Sequence, residues 1–414
     1  MDVATLTHWP PTRSEGLRRL EAFVPRAGRA YAELGNYDEG PGRHSHVSTL
    51  SPYVRHRLVR EEEVVGEVLE RFSLSQAEKF VQEVCWRTYW KGWLELRPTV
   101  WRWYRAEVAE LLRTVDRDRA LRDRWEAATS GRSGIACLDD WANELISTGY
   151  LHNHARMWFA SLWIFTLKLP WALGADFFFR HLLDADPASN TCSWRWVAGL
   201  QTVGKTYLAS PGNIARFTSG RIKPTERFAS TAEAISGPPL PRPRPLPRAD
   251  RVGDGPIGLL LTEDDLEPTS LGIESNQVVA VAGVLNLDDR SPLPVGPLPM
   301  AFTAGAMDDA LDRAAQAFGA PTERIDLNDS WVDPVRDWAR RVGVKQIVTP
   351  ESPQGPARER VEALREPLGQ SGVSLAVLRR GWDETFWPFA TAGFFRFKSE
   401  IPETLDRLGL LALR

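Results

Sequence analysis

The stretch from Gly237 to Asp250, GPPLPRPRPLPRAD, constrains this chain more than any other. Its six prolines fix φ and remove backbone donors, so neither a helix nor an interior strand can run through it. In the polyproline II form, at about 3.1 Å per residue, the segment reaches roughly 40 Å, enough to cross the face of a domain. It therefore reads as a stiff linker between residues 1–236 and 251–414. A chain of 414 residues is also too long for one ordinary core, which agrees with two domains.

The two sides differ in kind. Residues 1–250 carry 34 Lys and Arg against 29 Asp and Glu, a balance of +5, whereas residues 251–414 carry 17 against 25, a balance of −8. Thirteen of the 17 tryptophans lie before residue 200. A Trp-dense, mildly basic half suits planar rings and a polyanion. Before the linker, helical periodicity marks Glu61–Arg71, Ser75–Glu95, Ala106–Arg113 and Leu138–Ser147, and strand alternation is almost absent. After it, the apolar runs Ile257–Leu261, Val278–Val281, Gln346–Val348 and Val373–Leu378 alternate with helical patterns at Met307–Phe318 and Pro356–Leu368. The expected fold class is mixed, an all-α N-terminal domain followed by an α/β domain with a Rossmann-like parallel sheet.

Several motifs fail on context. Gly253, Gly255 and Gly258 spell GxGxxG but precede the strand run, whereas a dinucleotide fingerprint follows a strand and opens a helix. Gly199–Thr206, GLQTVGKT, matches a phosphate-binding loop formally, yet Trp194-Arg195-Trp196 stands where its strand belongs and Pro211-Gly212 interrupts a following helix. The pairs His44/His46 and His152/His154 lack further ligands at supporting spacing, so no metal is expected. Cys85, Cys137 and Cys192 form no CxxC pair, which fits a reducing cytoplasm. The opening MDVATLTHWPPTRSEG has no basic segment leading into an apolar run, so a secretory signal is not expected. Met157–Leu167 ends at Lys168 and Pro170 after about half of the roughly 20 apolar residues that a spanning helix needs, and reads as a buried core helix rather than a membrane segment.

Glu83, Trp86, Arg87 and Trp90 recur at spacings that place them on one helix face, a mixture unlike an ordinary apolar stripe. Asn153, Arg156 and Met157 share a second face, and Asp184-Ala185-Asp186 leads to Asn190 and Trp194-Arg195-Trp196. Buried acids and guanidiniums are costly unless paired, so this concentration asks for a polar ligand.

In these segments the chain resembles the photolyase and cryptochrome flavoproteins, over roughly residues 30–224. VSTLSPY at 47–53 is similar to the family's T-S-x-L-S-P-Y loop, and EVCWRTYW at 83–90 to E-x-x-W-R-E-F-Y. STGYLHNHARMWFAS at 147–161 and LLDADPASNTCSWRW at 182–196 resemble two further family segments in the same order. The resemblance implies FAD in the helical half, with its diphosphate against Ser48, Thr49, Leu50, Ser51 and Arg87. It implies Asp184 paired with Arg156 beside the isoalloxazine, Asp186 at a polar flavin edge, Asn190 facing the flavin N5, and Asn153 nearby. It further implies repair of cyclobutane pyrimidine dimers in ultraviolet-damaged DNA. The flipped lesion would meet Glu83, Trp86, Met157 and Trp196, and Asn153 with Met157 favours this branch over the (6-4) branch. Trp194 and Trp171 fall at the first two positions of the family's electron relay, with Trp101 and Trp103 as candidates for the third.

The family usually begins with an α/β antenna domain, whereas here the similar elements follow the linker, which implies a circular permutation and an antenna chromophore of unknown identity. The chain also departs from the family pattern. Cys192-Ser193 replaces Gly-Gly before the first relay Trp, Arg195 replaces Gln, and the segment after Gly199 differs, though Lys205, Arg216, Arg221 and Lys223 remain to meet phosphates. Two readings follow, a monomeric deoxyribodipyrimidine photolyase acting in the cytoplasm and a cryptochrome-like blue-light photoreceptor without repair activity.

Overall fold

A computed structural model describes residues 8–285, 287–327 and 330–411. The opening residues 1–7, which belong to the segment read for a secretory signal, lie outside the described residues, as does Asn286 of the second strand region. Before the linker the chain forms α1 (Arg13–Phe23), α2 (Arg29–Leu34), α3 (Ser51–Arg55), α4 (Glu61–Arg71), α5 (Leu74–Glu95), α6 (Pro98–Arg117), α7 (Arg119–Thr129) and α8 (Ala136–Thr148). These are followed by α9 (Asn153–Ser161), α10 (Trp171–His181), α11 (Pro187–Val197) and α12 (Pro211–Phe217). Helix α4 coincides with its periodic pattern. Helix α6 begins eight residues before its pattern because Pro98 stands in the first turn, where no amide partner is needed. Ser73 and Gln76 close a capping box that fixes the start of α5. The apolar run after α9 turns into a π-helical turn, Leu162–Thr166, largely buried in the protein. Among the described residues no helix is long and apolar enough to cross a membrane.

After the linker come β1 (Ile257–Leu261), β2 (Val278–Gly283), α13 (Pro297–Phe318), β3 (Thr322–Arg324), α14 (Val332–Val342), β4 (Gln346–Pro350), α15 (Pro356–Gln370) and β5 (Ser374–Leu378). Three further helices follow, α16 (Gly381–Phe386), α17 (Phe394–Ser399) and α18 (Ile401–Arg407). The strands are all parallel in the order β3-β2-β1-β4-β5, so the direction of winding reverses between β1 and β4. Strand β1 is buried along its whole length, as its unbroken apolar sequence requires. Gly258 of the GxGxxG triplet lies inside β1, where an added Cβ would come within 2.6 Å of the Trp338 ring, so this glycine serves helix packing. Strand β3, three residues long, left no signal in the sequence.

The proline segment divides the chain but not the core. One buried apolar cluster runs from Trp9 through the helices to Leu259, Val281 and Val348 of the sheet, and on to Trp382, Phe397 and Leu405. A smaller cluster packs α14 and α15 on the opposite sheet face through Val335, Trp338, Val361 and Leu364. The segment 237–250 contains neither helix nor strand, as its prolines dictate. It is nevertheless pinned along its path, with the Arg244 amide donating to Leu96 and the Asp250 amide to Val377. Leu240 and Leu246 tuck against the main cluster, so the segment is a strap rather than a free spacer.

Candidate flavin and lesion cleft

Helices α5 and α9 both pack on α11, and the expected polar residues come together at this junction. His152 caps α9, its Nδ1 accepting from the His154 amide while Nε2 meets the Gly35 carbonyl at 3.1 Å. The cap starts the helix so that Asn153, Arg156 and Met157 occupy its first turns. Arg156 forms a two-pronged pair with Asp184, at 3.0 and 2.9 Å, and its Nε donates to Leu151. Burial pushes the Asp184 carboxyl upward, but Arg156 and Arg87 outweigh it and hold the group below its ordinary range. The Ser51 hydroxyl also bonds this carboxylate, which joins the 48–51 loop to the acidic loop.

Asp186 has a structural duty as well. It caps α11 by accepting from the Ser189 amide at 2.7 Å, and Pro187 stands in the first helical turn. Its other oxygen lies 3.8 Å from Arg87 and 3.9 Å from Lys91, too far for direct hydrogen bonds. Lys91 is likewise 3.6 Å from Glu61. Arg87 Nη1, Lys91 Nζ, Ser189 Oγ and Thr191 Oγ1 are buried without a hydrogen-bond partner among the described residues. Orphaned donors in such numbers mark a place for polar ligand atoms or ordered water. Asn190 is anchored through its amide nitrogen, which donates to the Ala175 carbonyl at 2.8 Å and leaves its side-chain oxygen free to accept.

Glu83 stands on α5 with exposed surface, yet burial by surrounding protein pushes its carboxyl up to about 6, against the opposing pull of Lys79. Asn153 and Ser193, on α9 and α11, are exposed in the same manner, while Trp86, Arg87, Arg156, Met157 and Trp196 are half-buried. Trp196 stacks on Tyr207, with centroids 5.7 Å apart. Trp90, expected on the same face of α5, is buried beneath Trp86 and joins the core. One face of Trp86 is itself covered by Phe394 of α17, at 3.6 Å and 11°.

The loop before α3 makes a second polar surface. Thr49 adopts a left-handed φ of 53°, and its hydroxyl meets Arg19 at 3.0 Å. His8, Arg18, Arg19, Arg26 and His44 line a hollow of about 260 Å³ with Ser48 and Thr49, whereas Leu50 is buried as the anchor of the turn. The sequence reading found the loop but missed these arginines, because α1 carries no motif and only the fold brings it to the loop. Arginine side chains around a polar turn suit a phosphate or diphosphate. Arg18 and Arg19 already pair with Glu15 at 2.7 Å and Arg26 donates to the Ser45 carbonyl, so a phosphate here would displace or share these partners, whereas the orphaned donors at Arg87 and Lys91 fit the polar atoms of FAD without displacing any.

The two expected relay tryptophans are both buried. The Trp194 ring packs edge-on against Phe178 at 5.1 Å, and its tip lies so close over Gly174 that a Cβ there would come within 2.3 Å. Trp171 lies one turn before Gly174 on α10 and packs on Tyr104, which in turn packs on Trp101. Trp101 thus joins the Trp171 side of the array, while Trp103 remains half-buried at the edge of the core. The GLQTVGKT segment forms turns and no helix starts at Lys205, so it is not a phosphate-binding loop. His46 pairs with Glu39 at 3.4 Å, and His154 bonds the Asn36 carbonyl at 2.6 Å, so neither pair converges on a common centre.

Residues 80–220 match the family described as the FAD binding domain of DNA photolyase. The deoxyribodipyrimidine photo-lyase of Neurospora crassa is 29% identical over 197 residues, which are 46% of this chain and 31% of that protein. That of Streptomyces griseus is 35% identical over 157 residues, 38% of this chain and 33% of its own length. Cryptochrome DASH of Natronomonas pharaonis is 31% identical over 232 residues, 54% of this chain and 45% of that protein. The matched part of the chain thus spans 31% to 45% of the length of these relatives. A class III photolyase structure from Agrobacterium tumefaciens aligns with 52% of this chain and 44% of its own at 24% identity, with a TM-score of 0.41.

Proposed function

The chain belongs to the photolyase and cryptochrome family, and from that premise we propose that it repairs cyclobutane pyrimidine dimers in ultraviolet-damaged DNA. The feature that carries this reading is Glu83, an exposed carboxyl pushed up to about 6 by surrounding protein on the face of α5 that also carries Trp86, with the half-buried Met157 and Trp196 on α9 and α11, which pack on one another. A carboxyl in that state holds its proton up to about pH 6, and in that form donates a hydrogen bond to a carbonyl of a flipped base. Trp86 and Trp196 offer ring faces to the splayed pyrimidines. The 48–51 loop with Arg18, Arg19 and Arg26 holds a diphosphate, while Arg87, Lys91, Asp184 and Asp186 hold the polar parts of the cofactor. Asn190, fixed by Ala175, presents a carbonyl oxygen as acceptor. When bound, reduced FAD supplies the light-driven electron, and the residues around it position, desolvate and charge-balance it. We also read the α/β unit as the counterpart of the family's antenna domain in permuted order, because its strands follow the flavin segment.

Chemically reduced protein mixed with a thymine-dimer oligonucleotide tests the proposal, by recovery of thymine absorbance under blue light against a dark control. Recovery is expected only in the light. It falls at least tenfold in Glu83→Ala with FAD still bound, and weakens in the wild type as pH rises above about 6 and Glu83 loses its proton. Protein that holds FAD but restores no thymine absorbance would favour a photoreceptor. Phe394 supports that second reading, since it takes one stacking face of Trp86 out of the cleft.

A further inference from the structure

In a doubly wound sheet the ligand crevice lies beyond the carboxyl ends of the strands, where the winding reverses. Here that point lies between β1 and β4, and it is closed. The Thr262 and Ser352 hydroxyls, which follow the two strands, meet across it at 2.9 Å and are buried. The next residues of the first loop, Glu263, Asp264 and Asp265, are also buried, and each grips the end of α3 and the turn after it. Arg55 pairs with Asp264 at 2.6 Å and approaches Glu263 at 3.5 Å, and His56 Nδ1 bonds the Glu263 carbonyl at 2.6 Å. Arg57 meets Asp265 at 3.1 Å, and Arg380 forks onto the same carboxylate at 2.6 and 2.7 Å.

The same Arg55 has a second partner. Its Nε donates at 2.7 Å to the carbonyl of Ala185, the residue between Asp184 and Asp186. We propose that the carboxyl edge of the sheet holds no antenna chromophore and acts instead as an internal lock, with Arg55 as the positioning residue that sets the Asp184–Asp186 loop for the flavin. The donor set does not fit a planar chromophore, because Glu263, Asp264 and Asp265 are already paired with arginines in a region closed to solvent, and among the described residues Arg290 Nε and Nη1 and His56 Nε2 lack a partner beside them. It fits a fork that reads two carboxylates on one side and a backbone carbonyl on the other.

This inference rests on the flavin reading of the cleft, and the test separates the two. Full-length apoprotein is titrated with FAD and then with FMN, and the dissociation constant, flavin stoichiometry and reduction potential of the bound flavin are measured for wild type, Arg55→Lys and Arg380→Lys. Wild type is expected to take up one FAD and no further flavin. Arg55→Lys keeps a positive charge for Asp264 but loses the bond to Ala185, so it should bind FAD about tenfold more weakly and shift its potential. Arg380→Lys should melt at lower temperature with FAD affinity and potential unchanged. If Arg55→Lys does not fold, Asp264→Asn replaces it, with a several-fold loss of affinity expected. A second flavin per chain, an Arg55→Lys protein that binds FAD like wild type, or equal loss in Arg380→Lys would overturn the lock. Wild-type protein that took up no FAD at all would overturn the flavin reading, and the lock with it.

Discussion

The cleft on the helical side and the carboxyl edge of the sheet are built from the same chemistry, arginines facing carboxylates in a buried setting, yet they differ in saturation. In the cleft, Arg87 and Lys91 stand 3.8 and 3.9 Å from Asp186, and several polar atoms have no partner among the described residues. At the sheet edge, Asp265 receives both Arg57 and the full fork of Arg380, and the residues involved are almost wholly removed from water. Unsatisfied buried charge waits for a ligand, whereas satisfied buried charge holds two segments in one arrangement. The difference is one of degree, since Arg156 and Asp184 pair at 2.9 Å in the cleft and Arg290 Nε and Nη1 lack partners at the sheet edge. What sets the clasp apart is that Glu263, Asp264, Asp265 and Asp383 each hold an arginine within 3.1 Å, whereas Asp186 has no cation nearer than 3.8 Å among the described residues.

The sharpest way to break this comparison is to remove one member of the saturated set. Arg57→Met leaves Asp383 and Glu61 buried with fewer counter-charges, and should cost about 3–5 kcal/mol in chemical denaturation. A loss below about 1 kcal/mol would show that the clasp contributes little. On the open side, Asp184→Asn keeps the shape of the Arg156 fork but removes the negative charge, and should weaken FAD binding by about tenfold or more with a small change in melting temperature. Equal effects on stability in both variants would erase the distinction between cleft and clasp.

The smallest effect is expected where the two regions meet. Glu95, at the end of α5, accepts from the Gln354 amide of the loop after β4, and burial pushes its carboxyl up to about 7, with Glu351 adding to the shift and Arg358 opposing it. The folded protein thus prefers the protonated group. Its contribution is full below about pH 4.5 and declines as pH rises through 7. Melting temperatures measured from pH 5 to 8 should fall less steeply in Glu95→Gln than in wild type, and parallel slopes would show that Glu95 does not titrate in this interval.

Much of this was legible in the sequence, for reasons that are local. Prolines at 238–247 exclude regular structure wherever they occur, and the unbroken apolar run Ile257–Leu261 has few alternatives to a buried parallel strand. The pairing of Arg156 with Asp184 came only from the family resemblance, whereas helical spacing itself set Glu83, Trp86 and Arg87 side by side. Such signals depend on neighbours within a turn or a strand, which the chain itself specifies. Arg18 and Arg26 beside the 48–51 loop, Phe394 against Trp86, and Arg55 between Asp264 and Ala185 had no such signal. Their partners lie tens to hundreds of residues away, 308 in the case of Phe394 and Trp86. The same distance hid the continuity of the core across the proline strap, which sequence composition had suggested was a boundary between cores. Local sequence determined which elements form and which residue types share a face. Only tertiary packing decided which buried charges were satisfied, because desolvation and pairing depend on what the rest of the chain brings within about 4 Å.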